Sequence, residues 1–221
     1  MPSDWDSRFE AFINFYRTVQ KLVISAERLD PDDRLNISAI VEFRAAFTHL
    51  MRVHAAQFGL VDAEHVRKTG FTLADYCEIN LNKALAHLYR AGYDAYDAIA
   101  IALDLKIREI TEGFSRSTIY AVMPDAATRI YQVHLAALTA IDGVKTDKDV
   151  ENADAEHIRF QEFEAAIGRL QDVYELLEGH MAEFQKYEQA QKDSDKKAFA
   201  IGSGMTVVGA LLGWAVSKLL G

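Results

Sequence analysis

One cysteine, three prolines and, before residue 202, only seven glycines stand in this chain of 221 residues. With no second cysteine, Cys77 cannot form an internal disulfide, which fits a reducing compartment. The shortage of proline and glycine leaves long stretches free of helix breakers. No run alternates apolar and polar residues over a useful length, so strands are not expected. The opening "MPSDWDSRFEAF" lacks a basic start followed by an apolar run, so no secretory signal is expected.

Several chemistries are missing by residue type. A structural zinc site would need a cysteine pair, and a di-iron bundle would need Glu-x-x-His twice. No G-x-x-x-x-G-K-[ST] phosphate loop and no G-x-S-x-G elbow occurs. Cys77 and His87 are ten residues apart in one expected helix, too far for a dyad there. No metal and no cofactor is expected. Basic charge is also scarce: the net charge is −9, and the segment 196–221 has three lysines and no acid, which leaves −12 on residues 1–195. Such a body repels phosphate backbones on average.

What is present is helical periodicity. Phe9, Phe12, Ile13, Tyr16, Val19 and Val23 recur at spacings of three and four, predicting a helix from about 5 to 28 that ends at "LDPDD". A second helix is expected from about 36 to 58, capped by Asn36 or Ser38 and ended by Gly59. Residues 59–71 read as a connection. Thr72 caps a long helix over 73–113 with a stripe of Leu81, Leu85, Leu88, Ala95, Ile99 and Ala102. Pro124 opens a helix from 124 to about 141, ending near Gly143. From Phe160 to Phe184, through Phe163, Ile167, Leu170, Tyr174, Leu177 and Met181, apolar residues follow a heptad seam. That seam fits a second chain or, with the same spacing, an antiparallel bundle. The fold class expected is all-α, a multi-helix bundle whose last long helix runs on into the C terminus.

The C-terminal stretch differs from the rest. Ala198 to Ser217 contains no charge and no proline. As a helix, twenty residues span roughly 30 Å, the hydrocarbon thickness of a bilayer. A buried soluble helix would bear four glycines at about 1 kcal/mol each relative to alanine, and an in-plane helix would need a charged face. A transmembrane helix meets neither objection. The expected organisation is a cytoplasmic body over 1–187, a polar stalk over 188–197 and a tail anchor over 198–219. Lys192, Lys196 and Lys197 precede the span and Lys218 alone follows it, so the body is placed in the cytoplasm, at a bacterial inner membrane. Ala198, Gly202, Thr206, Gly209, Gly213 and Ser217 form a stripe of small residues on one side, suited to close packing of tails in a homo-oligomer.

Two features of the body carry candidate chemistry. In "VEFRAAFTHLMRVHAA" (41–56), Arg44 and His49 stand as R-x-x-x-x-H. This resembles the signature of the HEPN superfamily, all-α domains that often dimerise and often cut RNA. The resemblance implies that Arg44 and His49 line a cleft between protomers, where they stabilise phosphate and assist proton transfer. Ala45 departs from the pattern, since nuclease members commonly carry a polar residue there. On a helical wheel, Ile40, Phe43, Phe47, Leu50 and Met51 mark the core side, Arg44 its edge, and His49 the opposite, solvated side; His54 points inward. The second feature is a polar stripe of Asn80, Lys83, His87, Arg90, Asp94 and Asp97, either a solvated face with an Arg90–Asp94 pair or a polar groove.

These features lead to a non-enzymatic, tail-anchored membrane protein whose body binds a protein partner or senses a signal. By analogy, bacterial stress and phage-defence effectors join a helical body to one membrane helix. The alternatives are a membrane-tethered HEPN-like ribonuclease acting on RNA through Arg44 and His49, and a passive scaffold.

Overall fold

The computed structural model describes residues 5–30, 36–61, 66, 68, 70–146 and 153–220, without the side chains of 127, 145–146, 153–156, 200, 202–204 and 207–220. The elements are α1 (Trp5–Leu29), α2 (Ile37–Gln57), α3 (Leu73–Gly113), α4 (Arg116–Val122), a π-helical segment Ala127–Gln132 leading into α5 (Val133–Thr146), α6 (Ala153–Gly179) and α7 (Met181–Leu220). Every element among the described residues is helical, and together they form an all-α bundle.

Local chemistry sets most boundaries. Asn36 caps α2, its side chain accepting from the Ala39 amide at 3.2 Å. The helix stops at Gly59, whose φ of +68° is a left-handed conformation that glycine adopts without a Cβ penalty. Thr72 and Asp75 form a reciprocal capping box at the start of α3. From there α3 runs 41 residues, about 60 Å, and forms the axis of the bundle. Helices α1, α2 and α6 pack along it, and α5 packs on α6.

The core has two parts. Phe12, Ala46, Val53, Ala56, Cys77, Leu81, Ala84 and Leu88 fill the end where α1, α2 and the first half of α3 meet. A larger cluster joins the second half of α3 to α1, α4, α5 and α6, and reaches Phe184 on α7. At its centre the Phe160 ring lies against Phe15, Tyr89, Tyr93 and Tyr96. Gly92 admits this ring. A Cβ there would stand 2.4 Å from Phe160 Cε2, so only glycine lets α6 come this close. The seam from Phe160 to Phe184 is spent inside the chain: Phe163, Leu170, Leu177 and Phe184 are fully buried.

Three expectations about the elements change. Residues 116–122 form a short helix, capped by the Ser115 hydroxyl, which accepts from the Thr118 amide. The chain turns at Pro124, begins a π-helical segment at Ala127, and continues as α5 through Gly143 to Thr146. Gly143 faces open space and its helix does not need to end there. The last long helix is also divided. It breaks at Gly179–His180, where the His180 amide bonds Leu177 at i−3, and α7 starts anew at Met181. The root of α7 is fixed to the body by Phe184 against Phe114, ring centroids 5.2 Å apart, and by the Ser115 amide donating to Glu188.

Candidate functional site

Small residues decide how α2 sits. Its buried positions are Ala39, Ala46, Val53 and Ala56, and their short side chains let the helix lie close on α3. Three of the larger side chains expected to mark the core are turned out, Phe47 at 62 % exposure and Met51 and Ile40 close to half exposed, while Phe43 and Leu50 stay partly buried against the core. The wheel expected from sequence is therefore rotated. Arg44 is exposed on the outer side, at the edge of a groove of about 540 Å³ lined by Tyr16, Ile40 and Phe47. Five residues on, His49 lies about 140° around the helix. It faces α3 and is only partly exposed. Arg44 and His49 are thus not brought together within one chain. His54 is half-buried and takes the Phe9 ring edge-on.

Part of the polar stripe of α3 meets α2: Asn80 is buried and His87 partly so, while Lys83 and Arg90 stay exposed. His49 Nδ1 donates to Asn80 Oδ1 at 2.9 Å. The amide orientation is set by Asn80 Nδ2, which donates to the Tyr76 carbonyl, so Oδ1 is the acceptor. About two turns along, His87 Nδ1 donates to Glu42 Oε2 at 2.6 Å. Glu42 and His49 share a flank of α2 because they are seven residues apart. The two imidazoles stack across the interface, centroids 5.4 Å apart and 19° from parallel. Further along, Asn36 Nδ2 donates to the Asp94 carbonyl. The Arg90 guanidinium reaches Glu42 at 3.8 Å, so the salt bridge among these residues runs between helices.

Cations surround the stacked rings. Arg52 Nη1 lies 3.5 Å from His49 Nδ1, and Arg90 Nη1 lies 3.2 Å from His87 Nδ1. Each arginine is one turn past its histidine and folds back along the helix. Lys83 stands on the same face of α3, between Asn80 and His87. Burial holds the His49 pKa below its ordinary value; the Asn80 hydrogen bond opposes this, and Arg52, His87 and Lys83 reinforce it. At neutral pH His49 is neutral, with Nδ1 carrying the proton and Nε2 bare. Sequence reasoning singled out His49, Asn80, Lys83, His87 and Arg90 but assigned them to two unrelated faces. Glu42 and Arg52 were missed; their spacing of seven and three from His49 was the available signal.

Elsewhere, Cys77 is buried at the floor of a cavity of about 350 Å³ lined by Trp5, Arg8, Leu73 and Glu78. Burial pushes its thiol up, away from nucleophilic chemistry. No cluster of three metal-ligating side chains exists among the described residues.

On α7, all residues from Gln189 to Phe199 are exposed, followed by exposed Ile201 and Met205. The helix is unbroken to Leu220. Of the small-residue stripe, Ala198 and Thr206 are exposed, whereas the side chains of Gly202, Gly209, Gly213 and Ser217 lie outside the described residues. Among the described residues, no helix is long and apolar enough to cross a membrane.

No family model, curated protein or solved structure matches this chain. The likeness to HEPN domains therefore gains no support beyond the all-helical fold.

Proposed function

We propose that this chain is a single-pass, tail-anchored membrane protein whose cytoplasmic helical body binds a partner and whose tails associate laterally. The observation that carries the reading is the course of α7. It leaves the bundle after Phe184, passes through a solvated charged stretch, and then presents Phe199, Ile201 and Met205 at 78 %, 67 % and 73 % exposure. Burying a side chain of this kind is worth about 1.5–3 kcal/mol. Three of them on one projecting helix, at the start of twenty uncharged residues, favour a medium other than water. The lysines before the span keep the body cytoplasmic. The exposed apolar side chains of α2, Ile37, Phe47 and Phe58 among them, supply a surface for a partner.

Fractionation tests the anchor. Phe184 is the last buried side chain among the described residues, so a chain ending at residue 195 keeps the described core. The full chain is expected in the membrane pellet after carbonate extraction, and residues 1–195 in the supernatant. A full chain that is released by carbonate rejects the anchor. The ribonuclease alternative draws on the seated His49 imidazole. RNA cleavage by residues 1–195 that disappears in Arg44→Ala and His49→Ala would favour it over a binding role.

A further inference from the structure

The charge around the stacked histidines runs against the rest of the molecule. The chain carries −9 overall, yet Arg52, Lys83 and Arg90 gather at one place, where the Glu42 carboxylate is already bonded to His87. Neither Arg52 nor Lys83 makes an ion pair among the described residues. All three are exposed, and the imidazoles between them are partly so. Arg90 has a structural role in its bridge to Glu42 across the seam, whereas Arg52 and Lys83 add like charge that repels and forms no ion pair there. The groups are also of the right kind. Guanidinium and ammonium donors recognise phosphate oxygens, the arginines through paired N–H bonds. With Nδ1–H committed to Asn80 and to Glu42, each ring keeps Nε2 as its one available nitrogen. It becomes a donor once a proton is taken up.

We propose that the α2–α3 seam is a phosphate-binding site, formed by Arg52, Lys83 and Arg90 around the His49–His87 pair. The arginines close on the anion from the two ends of the stack and Lys83 from the α3 side. The bound charge offsets the cations and favours a proton on His49, opposing the Arg52 and Lys83 contributions that add to burial in keeping it neutral. A divalent metal is disfavoured at the same nitrogens by those cations. Arg44, on the outer side of α2, takes no part.

The test uses the full chain in zwitterionic detergent, with 13Cε1-labelled histidine, titrated with inorganic phosphate at constant ionic strength. The His49 and His87 resonances are expected to shift saturably, with a rise in the His49 pKa. His54 and His134 should stay still. Arg52→Gln with Lys83→Gln, both on exposed positions and checked by circular dichroism, should weaken binding at least tenfold; Arg44→Gln should not change it. Adding phosphatidylglycerol to the micelles separates two sources of the same chemistry. Displacement of phosphate identifies a lipid headgroup as the ligand, and unchanged phosphate binding identifies a soluble phosphate compound. The proposal is overturned if chloride reproduces the shifts, if all histidines move together, if none moves, or if the double variant binds as tightly as the parent.

Discussion

Gly92 and His49 show how much single positions carry. Gly92 sits mid-helix, where alanine gains about 1 kcal/mol in helix propensity. Its absent Cβ is the space that the Phe160 ring fills, and that ring is held by four other aromatics. Overpacking a closed site costs about 1–3 kcal/mol, so Gly92→Ala should lower the urea midpoint without changing the slope. An equal or higher midpoint would mean that α3 and α6 do not meet here. His49 makes stability depend on pH. Its folded pKa is depressed, so the unfolded chain takes up this proton at a higher pH than the folded one. The stability it contributes is present above the ordinary value of 6.5 and is lost as pH falls through the folded pKa. In His49→Gln the fall in stability between about pH 7 and pH 5 should be shallower than in the parent. Matching slopes would show that His49 is not desolvated against α3.

At the scale of the element, α2 is the informative case. Its position was chosen by alanines and one valine, because small side chains permit close approach and so bury more of the helix per residue. Phe47→Asp should therefore change stability by only about 0.5 kcal/mol, the range for exposed sites. Val53→Asp should unfold the body, since a carboxylate there would be buried unpaired. Urea or thermal melts of the two variants decide the matter, and the reverse order would restore the wheel expected from sequence. The helix α7 poses the complementary problem. Its first turns are tied down by Phe184 and Glu188, and the break at His180 frees its direction from that of α6.

For the whole molecule, a body of charge −12 is joined to a helix that turns apolar as it leaves. If tails associate through Gly209 and Gly213, then Gly209→Ile and Gly213→Ile should abolish crosslinking between full chains in the membrane, because the branched side chains hold the backbones apart. Undiminished crosslinking would remove the small-residue stripe from the account. The phosphate site and the tail lie on separate elements, so failure of one leaves the other intact.

The sequence alone determined the helical class and most helix spans, since these depend on residues three or four apart and on caps within one turn. Thr72, Asn36 and Gly59 do their work locally and were legible for that reason. The short α4 was not, although Ser115 three residues before Thr118 is a capping signal, because seven residues hold too few apolar positions to show a period. Which face of α2 is buried most deeply was decided only by the tertiary structure: Phe47 and Met51 point outward there, Phe43 and Leu50 are partly buried, and Ala46 and Val53 fit closest against the core. The same holds for the polar stripe. Asn80, Lys83, His87 and Arg90 have the spacing of a solvated face, and only the neighbouring helix, bringing His49, Arg52 and Glu42, turned them into one cluster. Periodicity records which residues of a helix share a side; it carries no record of what stands opposite.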